Sequence, residues 1–472
     1  MFLQDLKYIF DTFGAPVFVP IIIFIICKVL KVTTKKSFFS ALYVGVGLEG
    51  FNLLINSFTP IITPVVRQMV KGTGIDLPVF DVGWQATALV AYSTNVGMIF
   101  LCLGLVLQIG LFLIKWTDIF QPSDLWNNYS YMVWGSMAYA VTKNMFLALG
   151  LMIFLNLISL LISEVMANRW SNYYKYPNCT IIALHNIEPA IFAVVLDPLL
   201  NKLGLNKVKL NPEELQKKLG FLGEPVSLGL ILGLLIGILG NISRIGTVAG
   251  WGQIAITGVA TAAIMAIFPK VAGIFAQAFL PISQAASKAV KGESGNGRKW
   301  FLGVNDAAGY GEPATLISGI VLIPIMVVIA MILPGNKTLP VVDLVAIPFM
   351  VEGIVCLVNG NILKVLITGI IWFSIGLLMC THTASLFTQI AASVGVKLPV
   401  GALLITSFNI LGKPLVGLIF MAFLTESPVL IGICIAVYLI VYVLFKKNKV
   451  AVYDYLERTA AKNEEVEEKL ES

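Results

Sequence analysis

The chain has 472 residues, of which 58% are hydrophobic and only 12% charged, and its mean hydropathy is +0.88. So much apolar surface cannot be buried inside one water-soluble domain, so a soluble enzyme or binding module is excluded and an integral membrane protein is expected. The net charge of +6 calls for no nucleic-acid partner, because its Lys and Arg fall mostly between apolar runs, where they set orientation in a membrane.

Apolar stretches of about 17 to 25 residues recur, the length a helix needs to cross a ~30 Å hydrocarbon layer, and strand-type alternation is absent. The start, MFLQDLKYIFDTFG, lacks a small-residue cleavage site and does not read as a signal peptide. Pro16 to Leu30 is the first span. It ends in Lys28, Lys31, Lys35 and Lys36, a cluster that prefers the cytoplasm and places the amino terminus outside. Phe38 to Phe58 returns outward along a glycine face (Gly45, Gly47, Gly50) and carries Glu49, which is costly unless it faces the protein interior. Thr59 to Gln85 reads as an external segment. Thr87 to Ile114, Asp124 to Met145 and Phe146 to Met166 follow as spans, with Thr142-Lys143-Asn144 interrupting the second. Thr180 to Leu200 is apolar yet holds His185, Asn186, Glu188-Pro189 and Asp197-Pro198. A proline after each acid removes helix donors at membrane depth, which is tolerated only where the backbone lines a cavity or is buried in protein, so a re-entrant hairpin is predicted.

A polar joint, residues 201–222, precedes Val226 to Gly240 and Val248 to Phe268. Pro269 to Gly303 carries Lys270, Lys288, Lys291, Arg298 and Lys299 and reads as cytoplasmic. Tyr310 to Leu333, Asp343 to Val358 and Leu363 to Met379 are spans, Thr381 to Asn409 is polar and interrupted enough for a second hairpin, and Val429 to Phe445 is the last span before a charged, helix-prone cytoplasmic tail. The fold class predicted is an all-α membrane protein of about eleven transmembrane helices.

The two halves echo one another. Gly14-Ala15-Pro16-Val17 matches Gly223-Glu224-Pro225-Val226, Val82-Gly83-Trp84 falls at Val304-Asn305-Asp306, and Asp124-Leu125 at Asp343-Leu344. Tyr131 to Gly135 resembles Phe349 to Gly353, and Asn186-Ile187 pairs with Asn409-Ile410, all in the same order at offsets of 209 to 223. With an odd number of crossings in each half, the second copy would enter from the opposite face, giving the inverted repeat of an alternating-access carrier. The predicted organisation is a first repeat over 13–200, the joint at 201–222, a second repeat over 223–424, a final helix over 425–449 and a tail over 450–472.

Polar groups at membrane depth are the functional candidates, since each is costly unless paired or wetted. His185 and His382 are the two histidines, one at each predicted hairpin; Asp306 stands where a basic loop re-enters the membrane. Amides, hydroxyls, a carboxylate and an imidazole beside Trp84 and Trp134 suit a polyhydroxylated neutral solute rather than an anion. Glu224 and Glu312 read as helix-start residues. The six cysteines have no metal-type spacing and read as small buried hydrophobes. No Walker loop, zinc site or nucleophile with its base is visible, so neither a catalytic residue nor a cofactor is predicted.

Val79-Phe80-Asp81-Val82-Gly83-Trp84, Ala183-Leu184-His185, Gly223-Glu224-Pro225-Val226, Leu333-Pro334-Gly335-Asn336 and Asn359-Gly360-Asn361 together resemble the galactitol-type permease IIC component of the sugar phosphotransferase system, from Gly14 to about Gln389. The resemblance implies a multi-pass cell-membrane carrier for an alditol or related sugar, served by a separate IIB protein phosphorylated on cysteine, with IIA upstream. It also implies an inverted-repeat homodimer in which a core domain moves against a fixed V-shaped one, as in the related ascorbate permease. On that likeness His185, Asn186 and Asp306 are the first substrate-contact candidates, and Trp84, Lys143, Asn361 and Thr383 the second. The basic stretches Lys202 to Lys218 and Lys270 to Lys299 would dock the partner. The alternative is an ion-coupled secondary transporter for a polyol or sugar, in which Glu49 or Asp306 carries the ion.

Overall fold

The computed structural model describes residues 12–13, 15–71, 77–208, 210–290, 298–396, 398 and 402–461. Lys209, Lys291 and the last part of the predicted tail, 462–472, lie outside them. The elements in order are α1 (Ala15–Val29), α2 (Thr34–Lys71), β1 (Val79–Asp81), α3 (Trp84–Ser93), α4 (Asn95–Leu113), β2 (Ile119–Phe120), a 3-10 turn (Pro122–Asn128), α5 (Tyr129–Thr142) and α6 (Met145–Tyr173). Then come β3 (Cys179–Ile181), α7 (Leu184–Ile187), α8 (Pro189–Lys202), α9 (Pro212–Leu219), α10 (Pro225–Gly240) and α11 (Val248–Val290). The second half continues with β4 (Phe301–Val304), α12 (Ala307–Tyr310), α13 (Pro313–Ile332), β5 (Thr338–Leu339), a 3-10 turn (Asp343–Ala346), α14 (Ile347–Leu357) and α15 (Ile362–Ser393). It closes with β6 (Leu404–Thr406), α16 (Phe408–Leu411), α17 (Pro414–Leu424), α18 (Pro428–Lys447) and α19 (Lys449–Ala461).

Helices dominate, as the composition requires, but seven among the described residues are long and apolar enough to cross a membrane alone, or eight if the pair Pro212–Gly223 and Pro225–Gly240, bent by 73°, forms one span. The remaining apolar runs are divided into strands and short helices of 4 to 15 residues. Helices α1, α2, α10 and α11 pack chiefly on one another. The glycine face of α2 allows that approach: a Cβ on Gly47 would stand 2.8 Å from the Phe275 ring, and one on Gly50 2.9 Å from Val271. Glu49 departs from expectation, since it lies on the exposed side of α2.

Two element bounds differ from the sequence reading. The helix read as ending at Phe58 continues to Lys71, with Pro60 and Pro64 inside α2, and its apolar residues Ile62, Val65 and Val66 are buried. Thr381 to Ser393 does not begin a hairpin but completes the unbroken 32-residue α15. The hydroxyls of Thr381, Thr383 and Thr388 donate to Leu377 O, Met379 O and Ala384 O, one turn back, so this polar run satisfies itself without breaking the helix.

The remaining elements surround two small parallel sheets that alternation could not reveal, because their strands have two to four residues. One has the order β5-β1-β6 and pairs Val79 with both Thr338 and Leu404; the other has the order β2-β4-β3 and pairs Gly303 with Thr180. Each sheet takes its central strand from one half of the chain and both edges from the other. Asp81, fully buried, fastens the first sheet: its carboxylate accepts backbone N–H groups from Gly83 (3.1 Å), Val341 (3.0 Å), Asp343 (2.7 Å) and Phe408 (3.2 Å). Four such donors compensate a buried carboxylate's lost hydration.

The basic ends of the elements meet on one side. Arg298 and Lys449 pair with Asp118, and Lys446 and Lys449 with Glu164, at 2.5 and 2.7 Å for the latter two. Lys364 pairs with Asp197 at 2.8 Å, while Asn361 caps α15 and donates to Val208 O, anchoring the joint.

Candidate functional site

Strand β3 leads to α7, a four-residue helix carrying His185 and Asn186, before Pro189 starts α8; β4 leads likewise to Asn305, Asp306 and α12. The parallel pairing of β3 with β4 sets these two turns side by side. Asn186 Nδ2 donates to Asp306 Oδ2, and Asn127 Nδ2 lies 3.4 Å from Asp306 Oδ1. His185 Nε2 stands 3.7 Å from Asp306 Oδ2 and 3.4 Å from the Tyr129 hydroxyl. Asn127 also donates to Asp124 at 2.7 Å, with Asn305 Nδ2 at 3.3 Å from the same carboxylate. The result is an amide and carboxylate network drawn from three separate stretches of chain.

The first sheet supplies the opposite wall. The β1 turn delivers Trp84 and the β6 turn Asn409; Asp343 accepts Trp84 N (2.9 Å), Asn409 N (2.9 Å) and the Ser407 hydroxyl (2.6 Å), fixing both turns. Leu48, Phe51, Asn52 and Ile55 of α2 close the cavity with Phe349. It encloses about 590 Å³ of atom-free space, its open mouth included. Among the described residues no Lys or Arg lines it. Three buried atoms on its lining residues or beside them, His185 Nδ1, Asn186 Oδ1 and Asn409 Oδ1, have no hydrogen-bond partner among the described residues. A buried polar group left unpaired costs about 1 to 3 kcal/mol, which a ligand's hydroxyls would recover.

Of the residues singled out from sequence, His185, Asn186, Asp306 and Trp84 converge here, Asn186 through its bond to Asp306. Lys143 is exposed at the left-handed end of α5 (φ 55°), Asn361 is the cap of α15, and Thr383 is buried within α15 with its hydroxyl on Met379 O. None of the three lines the cavity. His382 is exposed on α15, and Trp134 is buried against Phe420, their centroids 5.0 Å apart. Glu312 does start α13, accepting Ala314 N and Thr315 N, whereas Glu224 precedes α10 without a side-chain cap. Sequence reasoning missed Asn127, Tyr129, Asn305 and Asn409 as site residues. Asn305 adjoins Asp306, and Asn409-Ile410 echoes Asn186-Ile187 in the sequence, so those two carried a signal; Asn127 and Tyr129 carried none.

Among proteins of known description, the "PTS system galactitol-specific EIIC component" of Escherichia coli (strain K12) is 28% identical over 428 residues, covering 90% of this chain and 92% of its own. That of Escherichia coli O157:H7 matches equally. A "Putative permease IIC component" of Escherichia coli (strain K12) is 29% identical over 383 residues, covering 81% of this chain and 86% of that one. The family model described as EIIC-GAT, PTS system sugar-specific permease component, matches residues 8–401. By that match, and with its several membrane-capable helices, the chain belongs to the EIIC-GAT family of multi-pass phosphotransferase-system sugar permeases.

Proposed function

We propose that this permease binds a neutral alditol of the galactitol kind, carries it inward, and presents a hydroxyl to a separate phosphorylated IIB protein. The observation that carries this reading is the cavity lining: unpaired amide oxygens and an unpaired imidazole nitrogen on or beside it, two nearby carboxylates and, among the described residues, no cation. Such a surface matches several hydroxyl donors and offers nothing to a substrate anion. The galactitol-specific relatives favour the same class.

His185, Asn186, Asn409 and Asp306 take the substrate in this scheme, with Trp84 and Phe51 covering it. The repeated element order, strand, turn, helix in each half, is taken as an inverted repeat, with residues 13–200 and 223–424 as its copies. The cavity lies between the α1, α2, α10 and α11 group and the sheet-bearing remainder, so a shift of one against the other would move it across the membrane. The assembly is taken to be a homodimer. On the basic side, a crevice of about 2040 Å³, its open mouth included, is the docking place taken for the phosphoryl donor; the joint lines it, with Arg169, Lys175 and Lys217 set among Glu213, Glu214 and Glu312. Phosphorylation then prevents the solute's return.

The test loads vesicles with phosphoenolpyruvate and the soluble phosphotransferase proteins and offers labelled galactitol outside. Internal galactitol phosphate is expected, dependent on phosphoenolpyruvate. Accumulation of unmodified galactitol under an imposed proton or Na⁺ gradient would overturn the reading.

A further inference from the structure

Two hairpins meet at the cavity, the first running from β3 through α7 into α8 and the second from β6 through α16 into α17, and they are joined by a carboxylate to which the transport scheme gives no task. Glu188 ends the turn that carries His185 and Asn186, and is fully buried. It does not cap α8, the helix it precedes. Instead Oε1 accepts Leu415 N (2.7 Å) and Val416 N (3.1 Å), two first-turn donors of α17 for which a helix has no internal acceptor. Oε2 accepts Trp372 Nε1 of α15 at 3.1 Å.

The second hairpin has Lys413 in the matching place, also directly before a proline. Lys413 is 1% exposed, its side chain does not cap α17, and its Nζ has no hydrogen-bond partner among the described residues. One hairpin therefore provides the cap that the other lacks, and the residues at the two equivalent positions carry opposite charges. A carboxylate at a helix start gains both from the N–H bonds and from the positive helix end. Here those gains bind two chain segments separated by more than 200 residues.

We infer that Glu188 is a positioning residue that locks the first hairpin, with His185 and Asn186, to the second, with Asn409, so that the substrate contacts on both keep one geometry while the site moves past α2. The inference rests on the polyol reading above. Breaking the link would let the two hairpins drift, and a binding constellation tolerates only about 0.5 Å of that.

Its test compares E188Q/K413M with E188L/K413M, full-length in lipid vesicles. Methionine at 413 removes the ammonium from both, so neither leaves a buried charge unpaired. Glutamine keeps an oxygen for Leu415 and Val416; leucine has similar bulk and no acceptor. The readouts are equilibrium binding of labelled galactitol and amide exchange over 184–187 and 415–416. The leucine variant is expected to bind about fivefold more weakly than the glutamine variant, the worth of one helix cap, and to exchange faster in both segments. Equal affinities, or faster exchange confined to 415–416, would overturn the inference. Should the wild-type protein bind no galactitol, the substrate reading falls alone, and exchange at 184–187 still decides whether the hairpins are locked.

Discussion

Asp306 and His185 illustrate how far single residues can be read. Both are polar groups in apolar surroundings, where each must be compensated, and that cost is visible in a sequence without any fold. Asn127 and Tyr129 escaped because they sit among other polar and aromatic residues; only the approach of the 3-10 turn at Pro122–Asn128 to β4 brings them to Asp306. Lys143, Asn361 and Thr383 were singled out, and stand away from the cavity, for the complementary reason. A helix end, a cap and a self-bonded hydroxyl also place polar residues beside apolar runs. Replacing His185 by Ala, or Asp306 by Asn, is therefore expected to weaken galactitol binding by about tenfold or more. Lys143→Ala should bind as the wild type does; direct binding to the purified protein in vesicles checks all three.

Among the elements, the long apolar helices were legible because hydropathy alone specifies them, and the break at Thr180 to Leu200 because its prolines punctuate it. The second break was misplaced: β6, α16 and α17 are apolar enough to look like the span their sequence neighbours suggest, whereas the threonines of α15 look like an interruption. The basic side offers a test at this scale. Asp118 is pushed up by burial, but its bonds to Lys449 and Arg298 outweigh that and hold its carboxyl below the ordinary range. A depressed carboxyl stabilises the fold above its ordinary value of about 3.9, and that contribution disappears as pH falls through the lower folded value. Acidification below about pH 4 should accordingly release α18 and α19 from the β2 turn. Proteolysis between Lys447 and Lys449 should then accelerate, and Asp118→Asn should show that faster cleavage already at neutral pH.

For the molecule as a whole, the contact between Phe268 of α11 and Tyr310 of α12, rings stacked at 4.1 Å, lies across the surface along which the proposed movement occurs. A disulfide between cysteines at these two positions should leave galactitol binding intact and stop uptake, with reduction restoring it. Cutting the chain within the polar joint tests the architecture differently. Residues 1–209 and 210–472 expressed separately should be degraded, because neither holds a complete sheet, and expressed together they should restore a transport-competent protein.

The exchange of central strands between the halves also imposes a schedule on biosynthesis. Strand β1 pairs with residues 338–339 and 404–406, so its second neighbour is translated about 325 residues later. At about 5 to 20 residues per second, β1 waits roughly 16 to 65 s with its backbone groups unmatched. Hydrocarbon tolerates no such segment unsheltered. The turns that build the binding cavity must therefore be held out of the lipid, by water or by the insertion machinery, until the second half arrives, and the site is among the last parts of the protein to come into being.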